Sequence, residues 1–472
     1  MVRIFASTVS AELLTRAVAL AASLVVVRAL DPAGFGDFAY ALAFASVLGV
    51  AVDLGFSTFL VRDVSEDPGR GPALLGGVLT AQAVLAAGVF GSAGALAFAG
   101  LLGGPAGGLA LSIGFAFAAA GTAARSFEAV LIAHDRAHLI TLARVARGVA
   151  LVAATAAAAL ADAPAEGFLG AWLAAEVTSA ALTGYLCATR AARPDLAVSR
   201  AEVRRLIRLA IPFALLAGFS LIYARIDLVM LGLLDTDVAT GNYGVAVRVV
   251  ETLLIVPMFF GGAFLATVAY TGVQNERAGV QTATALRYIL LLCVPLSFTL
   301  AMTGGPLVDL VAGADYDSAG DLLVRLSPVL VLVAGYGVIA SLQVALDRVA
   351  TLVRVNLAGV VVKVALNLWA IPRWGAQGAA VTAVVAEAAV VAAQWYLVRR
   401  ELELGPLLAW TGRLALCGAA TVAAGLAVAS VAEWPLALAA GLGAYALAAG
   451  GMRCASTADL RSIAASIRVS AA

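Results

Sequence analysis

Charge is scarce in this chain, and lysine is almost absent. Of 472 residues, 12% are charged and 62% hydrophobic, and one of the 30 basic residues is a lysine, Lys363. Soluble globular chains run closer to half apolar and a quarter charged. With a mean hydropathy of +1.00, the composition excludes a soluble protein and points to a polytopic membrane protein. The net charge of +1 argues against a nucleic-acid partner. Histidine is confined to His134 and His138, too few ligands in one short loop for a metal site. The four cysteines, Cys187, Cys293, Cys417 and Cys454, are not spaced as a metal or redox pair and read as small apolar side chains. No nucleophile stands beside a base, and no phosphate-binding Gly–Lys loop occurs. This argues against an enzyme, an ATP-driven machine or a bound cofactor.

What the chain has is apolar length. A membrane-crossing helix needs about 20 mostly apolar residues. About fourteen such runs follow one another: 8–29, 36–60, 73–101, 108–133, 139–161, 166–189, 208–234, 242–268, 284–304, 322–346, 351–371, 376–398, 408–431 and 434–452. The first is too long for a signal-peptide core and lacks a cleavage site, so it reads as a first transmembrane helix. The loops alternate in charge. One set carries Arg62, Arg70, Arg136, the cluster from Arg190 to Arg208, Arg277, Arg348, Arg399 and Arg400. The other carries Asp31, Asp162, Asp235, Asp237, Asp309, Asp315 and Glu433, with Arg28 and Arg373 against the trend. The positive-inside rule therefore expects both termini in the cytoplasm and the chain in the cell membrane. The longest basic loop marks a seam. It suggests an N-lobe over 1–195, a basic cytoplasmic linker over 196–207, a C-lobe over 208–400, and two last spans with a tail over 401–472. Arg204, Arg205 and Arg208 either touch anionic lipid headgroups or simply fix topology.

The two halves resemble each other. Leu30-Asp31 followed by Gly36-Asp37-Phe38 is echoed by Leu234-Asp235 followed by Gly241-Asn242-Tyr243. Gly167 precedes Glu176 by the interval that separates Gly378 from Glu387. An even span count per half makes the repeat parallel, with its axis along the membrane normal. The expected fold is all-α and polytopic: two six-helix lobes related by a pseudo-two-fold, facing a midplane cavity, plus two C-terminal helices beside them.

Charges inside the spans are the candidates for function. Lys363 sits near the middle of the run 351–371, where an ammonium costs at least about 3 kcal/mol on insertion scales. Asn356, Lys363 and Asn367 follow i, i+7, i+11 spacing and form one polar stripe. The other intramembrane cations are Arg16, Arg125, Arg144, Arg147, Arg225 and Arg248; the anions are Glu12, Asp53, Glu128, Glu176, Asp227, Glu251 and Glu387. Glu12–Arg16, Arg125–Glu128 and Arg248–Glu251 are spaced to meet on one helix, either as structural pairs or as working groups. Arg144 and Arg147 read as residues that snorkel to the cytoplasmic surface. Asp227 shares a stripe with Ser220 and Tyr223 and points away from Arg225. Asp53, Glu176 and Glu387 lack an in-helix partner, which leaves protonation, a cross-helix bond or function. Glu387, on the run after Lys363, competes with any ligand for that ammonium. Pro257, Pro295 and Pro328 should kink their spans.

Several segments resemble the oligosaccharide flippases, or polysaccharide transporters. They are Arg28 to Tyr40, Asp53-Leu54-Gly55-Phe56 with Leu60-Val61-Arg62, and Ile211-Pro212-Phe213 through Tyr223 to Asp227. Gly241 to Gly244 and Asn367 to Ala380 complete the set, which covers almost the whole chain. A departure lies at Thr267 to Tyr270, where relatives often carry a proline. The resemblance implies fourteen helices, two lobes and a cavity that opens to alternate sides. It implies as cargo an oligosaccharide on a polyprenyl diphosphate, moved to the outer leaflet. Arg16, Arg225, Arg248 and Lys363, with Asn367 alongside, are then candidates for a diphosphate clamp. Cations on the first and eighth spans often serve in relatives, which favours Arg16 and Arg248. Asp53, Glu176, Asp227 and Glu387 are candidates for coupling to H+ or Na+. A glycan polymerase or glycosyltransferases would be natural partners. A cation-coupled multidrug exporter, a peptidoglycan-precursor flippase and a scaffold for glycosyltransferases remain as alternatives.

Overall fold

The computed structural model describes residues 17–101, 103–255, 257, 275–399, 404–429, 433–452 and 454. Among these residues the chain is helical, with no strand. The helices are α1 (Ala17–Ala29), α2 (Pro32–Asp53), α3 (Phe56–Glu66), α4 (Gly71–Phe98), α5 (Gly108–Ala133), α6 (Ala137–Leu160), α7 (Ala165–Arg190), α8 (Arg200–Leu234) and α9 (Asp237–Leu253). They continue with α10 (Asn275–Val311), α11 (Ala319–Leu326), α12 (Pro328–Ala345), α13 (Val349–Val398), α14 (Leu404–Ala429) and α15 (Trp434–Gly451). Nine stretches among the described residues are long and apolar enough to cross a membrane. The expected spans outside those nine fall on α1, α7, α8 and α9; α7 and α8 carry Glu176, Arg225 and Asp227, and most of the run 242–268 beyond α9 lies outside the described residues.

Four expected spans differ in detail. The run 36–60 is broken: Leu54 and Gly55 both take left-handed backbone (φ 45° and 72°), so α2 ends at Asp53 and α3 starts afresh. The run 322–346 is divided at Pro328, which opens α12, where its missing N–H is no loss. Ser297 donates to the Ser327 carbonyl at 2.7 Å and secures that break. The runs 351–371 and 376–398 form the two arms of α13, which turns through Gly375 (φ 53°) just after Pro372. Pro295 stays inside the continuous helix α10.

Two compact units divide the chain, Met1–Gly244 and Val245–Ala472. In the first, α7 packs on α5 and α6, and α2 packs on α5 and α8. One apolar cluster joins Phe56 and Leu60 of α3, Leu75 and Val78 of α4, Val130 and Leu131 of α5, and Leu206 of α8. The unit runs beyond the basic linker to Gly244 because α8 lies on α2, α3 and α4. In the second unit α10 packs on α12, and α12 on α13. The C-terminal pair α14 and α15 pack on each other and on α10, where Tyr445 donates to the Leu291 carbonyl at 2.8 Å.

The repeat is visible as a contact within the first unit. A Cβ on Gly36 would strike the backbone of Asp237, and a Cβ on Gly241 would strike the backbone of Pro32. Gly241 follows Gly36, and Asp237 follows Pro32, by the same 205 residues. Such a reciprocal contact between equivalent positions is what a two-fold axis produces. The helix caps keep the same step. Asp31 accepts from Gly34 N–H at 2.9 Å, and Thr236 accepts from Ala239 N–H at 3.2 Å. The sequence aligns Asp31 with Asp235, whereas the capping geometry aligns it with Thr236. Carboxylate and hydroxyl both serve as N-caps, so the residue type hides the register.

Candidate functional site

In the second unit the polar stripe of α13 faces inward. Lys363 is 5% exposed, Asn367 is fully buried, and Glu387 on the other arm is 7% exposed. On the opposite stripe Val361 is 62% exposed, as a lipid-facing side chain should be. The arms are joined by Thr382, whose hydroxyl donates to the Asn367 side-chain oxygen. Gly378 makes their approach possible, since a Cβ there would lie 2.6 Å from the Ala370 carbonyl oxygen. Asn356 donates to the Tyr336 hydroxyl of α12 at 2.7 Å, and Glu387 lies within electrostatic reach of that hydroxyl. Farther along, Gln343 of α12 donates to Gln394, both buried. The interior thus presents an ammonium, a carboxylate, amides and a phenol inside an apolar shell. Arg248 and Glu251 of α9 meet at 3.5 Å, at the spacing the sequence anticipates.

The first unit is organised by arginines. Arg147 of α6 meets Glu176 of α7 at 2.6 Å. Arg125 of α5 meets Asp53 at 3.5 Å, where the break after α2 presents that carboxylate. Arg144 meets Glu128 at 3.3 Å. These contacts correct two expectations. Arg125 turns to Asp53 and leaves Glu128, its neighbour on the same helix, to Arg144. Arg144 and Arg147 reach across to neighbouring helices and do not snorkel outward. A carboxylate on an adjacent helix gives each partly exposed guanidinium a charge-assisted partner. Two of the pairs flank one residue: a Cβ at Gly121 would lie 3.4 Å from an Arg125 nitrogen and 3.9 Å from the Glu176 carboxylate. Asp227 of α8 accepts from the Tyr243 hydroxyl at 3.1 Å, both buried. Arg225, two residues earlier, is half-buried.

Arg16, Glu12 and the stretch Thr267 to Tyr270 lie outside the described residues. Tyr336 was missed by the sequence reading; its signal is a lone phenol between Gly335 and Gly337 in the run 322–346. The cross-helix ion pairs of the first unit carry no local signal, because their partners stand 16 to 72 residues apart. No group of three or more His, Cys, Asp or Glu side chains able to hold a metal occurs among the described residues.

Apolar helices around buried, ion-paired and hydrogen-bonded side chains define a multi-pass membrane protein of the class with a polar interior. The chain belongs to the family of polysaccharide biosynthesis proteins, whose family model matches residues 1–268. Among solved structures, a lipid II flippase, MurJ, in an inward closed conformation is similar at a TM-score of 0.76 and 12% identity, over 95% of this chain and 98% of that one. An inward-facing multidrug resistance transporter of the MATE family and MOP superfamily is similar at a TM-score of 0.62 and 14% identity, over 82% of this chain and 94% of that one. The MATE multidrug transporter DinF-BH is similar at a TM-score of 0.57 and 16% identity, over 81% of this chain and 92% of that one. At these identities the likeness is one of fold. No curated protein matches the sequence.

Proposed function

We propose that the protein is a flippase that carries a polyprenyl-diphosphate-linked oligosaccharide from the cytoplasmic to the outer leaflet by alternating access. The observation that carries this reading is Lys363, an ammonium buried in an apolar arm of a polysaccharide biosynthesis protein. Sugars and a diphosphate cannot cross hydrocarbon unaided, whereas a polyprenyl tail can stay in it. An interior cation supplies the diphosphate with charge-assisted hydrogen bonds that replace water.

In this reading Lys363 and Arg248 hold the diphosphate, Arg225 and Arg16 are further candidate cations for it, and Asn367 lies beside Lys363 on the same polar stripe. Glu387 holds the ammonium when cargo is absent. Asp53, Glu176, Asp227 and Glu387 are the groups through which H+ or Na+ resets the protein. Each carboxylate neutralised in place loosens a bond to a neighbouring helix. Both termini lie in the cytoplasm, and a glycan polymerase or glycosyltransferases act on either side of the step.

Deleting the gene tests the reading. It should trap lipid-linked sugar in the cytoplasmic leaflet, remove surface polysaccharide and leave drug susceptibility unchanged. Drug sensitivity with intact polysaccharide would point to an exporter. Arrest of peptidoglycan synthesis would point to the precursor flippase, the reading favoured by the fold of the lipid II flippase.

A further inference from the structure

The turn of α13 carries a cluster that the transport reading does not use. Arg373 donates to the Trp369 carbonyl at 2.5 Å, and its guanidinium carbon lies 5.1 Å from the centre of the Trp369 ring. Trp374 meets Trp369 edge to face, with ring centres 4.9 Å apart. The cluster is held by the turn itself, between Pro372 and the left-handed Gly375. Yet its large surfaces are uncovered: Trp369 is 50% and Trp374 53% exposed. Arg373 is exposed as well and makes no ion pair with a described acid.

The setting identifies what covers them. Trp369 continues the exposed stripe of Val361, Val362 and Leu368, the face that an arm inside a bilayer turns to lipid. The cluster therefore lies where a lipid-facing stripe ends at a turn, at the depth of the headgroups. Indoles favour that layer, having an apolar body and one N–H donor. A guanidinium fixed against an indole presents its remaining donors in a planar fork, which matches a phosphate's oxygens. Arg373 also goes against the acidic trend of its side of the membrane, so topology gives it no other reason to be there.

We infer that Trp369, Arg373 and Trp374 form a seat for a phospholipid headgroup, with the lipid phosphate on the guanidinium and the two touching indoles beside it at the glycerol level. The seat anchors the outer turn of the hairpin whose arms carry Lys363 and Glu387. It depends on the chemistry of the turn and not on the cargo, so it stands or falls apart from the flippase reading.

The test uses the full chain, purified in detergent, with added phosphatidylglycerol or a phosphate-free galactolipid of the same acyl chains. Native mass spectrometry should find the phospholipid retained at least about threefold more than the galactolipid. Arg373→Gln should erase that preference, and Arg373→Lys, with charge but no fork, should weaken it. Equal retention of the two lipids by the unaltered protein, or an undiminished preference in Arg373→Gln, overturns the seat. Should Arg373→Gln fail to fold, tryptophan quenching by a headgroup nitroxide lipid decides. Trp369→Phe with Trp374→Phe should remove much of the quenched emission, and unchanged quenching overturns the proposal.

Discussion

Glu176 and Glu387 align in the sequence repeat, each nine residues after a glycine, yet the chain surrounds them differently. Glu176 meets an arginine of the preceding helix at 2.6 Å, and a second ion pair, Arg125–Asp53, lies just across Gly121. Glu387 is buried within electrostatic reach of the Tyr336 phenol, and the buried cation of the preceding arm is the chain's single lysine. The contrast is chemical. A guanidinium stays charged at any physiological pH, which suits a brace that only neutralisation of its carboxylate releases. An ammonium is a compact point charge on a flexible stem and changes partners at lower cost. On the proposed reading, the arginine pairs of the first half hold until a carboxylate is neutralised, and the lysine of the second exchanges a carboxylate for a ligand.

The largest expected effect falls on the lysine. Lys363→Ala should abolish surface polysaccharide while the protein stays in the membrane, because removing one member of a buried charged contact costs about 2–5 kcal/mol. Lys363→Arg should restore little, whereas Arg147→Lys in the other half should keep most activity; equal tolerance of the two swaps breaks the contrast. Next come the glycines at which the halves are alike. Gly36→Val and Gly241→Val should each lower stability by about 1–3 kcal/mol through overpacking. Their thermal unfolding shifts should match, since each new side chain meets the other helix's backbone. A large inequality argues against the two-fold contact.

Glu176→Gln leaves Arg147 without its carboxylate. It should cost about 1–3 kcal/mol in stability, less than for a fully buried pair because the Arg147 side chain is 26% exposed. Adding Arg147→Met should recover part of that loss. Glu387→Gln should show the opposite balance, with transport impaired more than stability. The smallest effect is expected at Asn367→Ala, which removes the bond to Thr382 and should cost about 1 kcal/mol.

The legibility of these features in the sequence follows how local each one is. The stripe of Asn356, Lys363 and Asn367 could be read directly, because helical spacing alone puts those residues on one face. The arms of α13 were readable for the same reason, as two apolar runs separated by Pro372 and Gly375. The in-helix pair Arg248–Glu251 needed only its spacing. The break at Leu54–Gly55 was hidden, since leucine rarely adopts left-handed backbone and a single glycine inside an apolar run is common in membrane helices. The cross-helix pairs of Asp53, Glu128 and Glu176 were hidden too, because packing chooses among several arginines that composition alone leaves equivalent. The repeat was legible to within one residue, and the capping hydroxyl of Thr236 supplied the rest.

The central claim, that Lys363 serves the passage of a lipid-linked diphosphate glycan, is tested most directly in proteoliposomes. A polyprenyl-diphosphate oligosaccharide is placed in both leaflets, and its outward passage is followed by capture with an external lectin. The wild-type protein should expose the inner-leaflet pool, and Lys363→Ala, reconstituted at the same density, should leave it as protected as in protein-free vesicles. Exposure by Lys363→Ala at the wild-type rate, or none by the wild-type protein, would contradict the account.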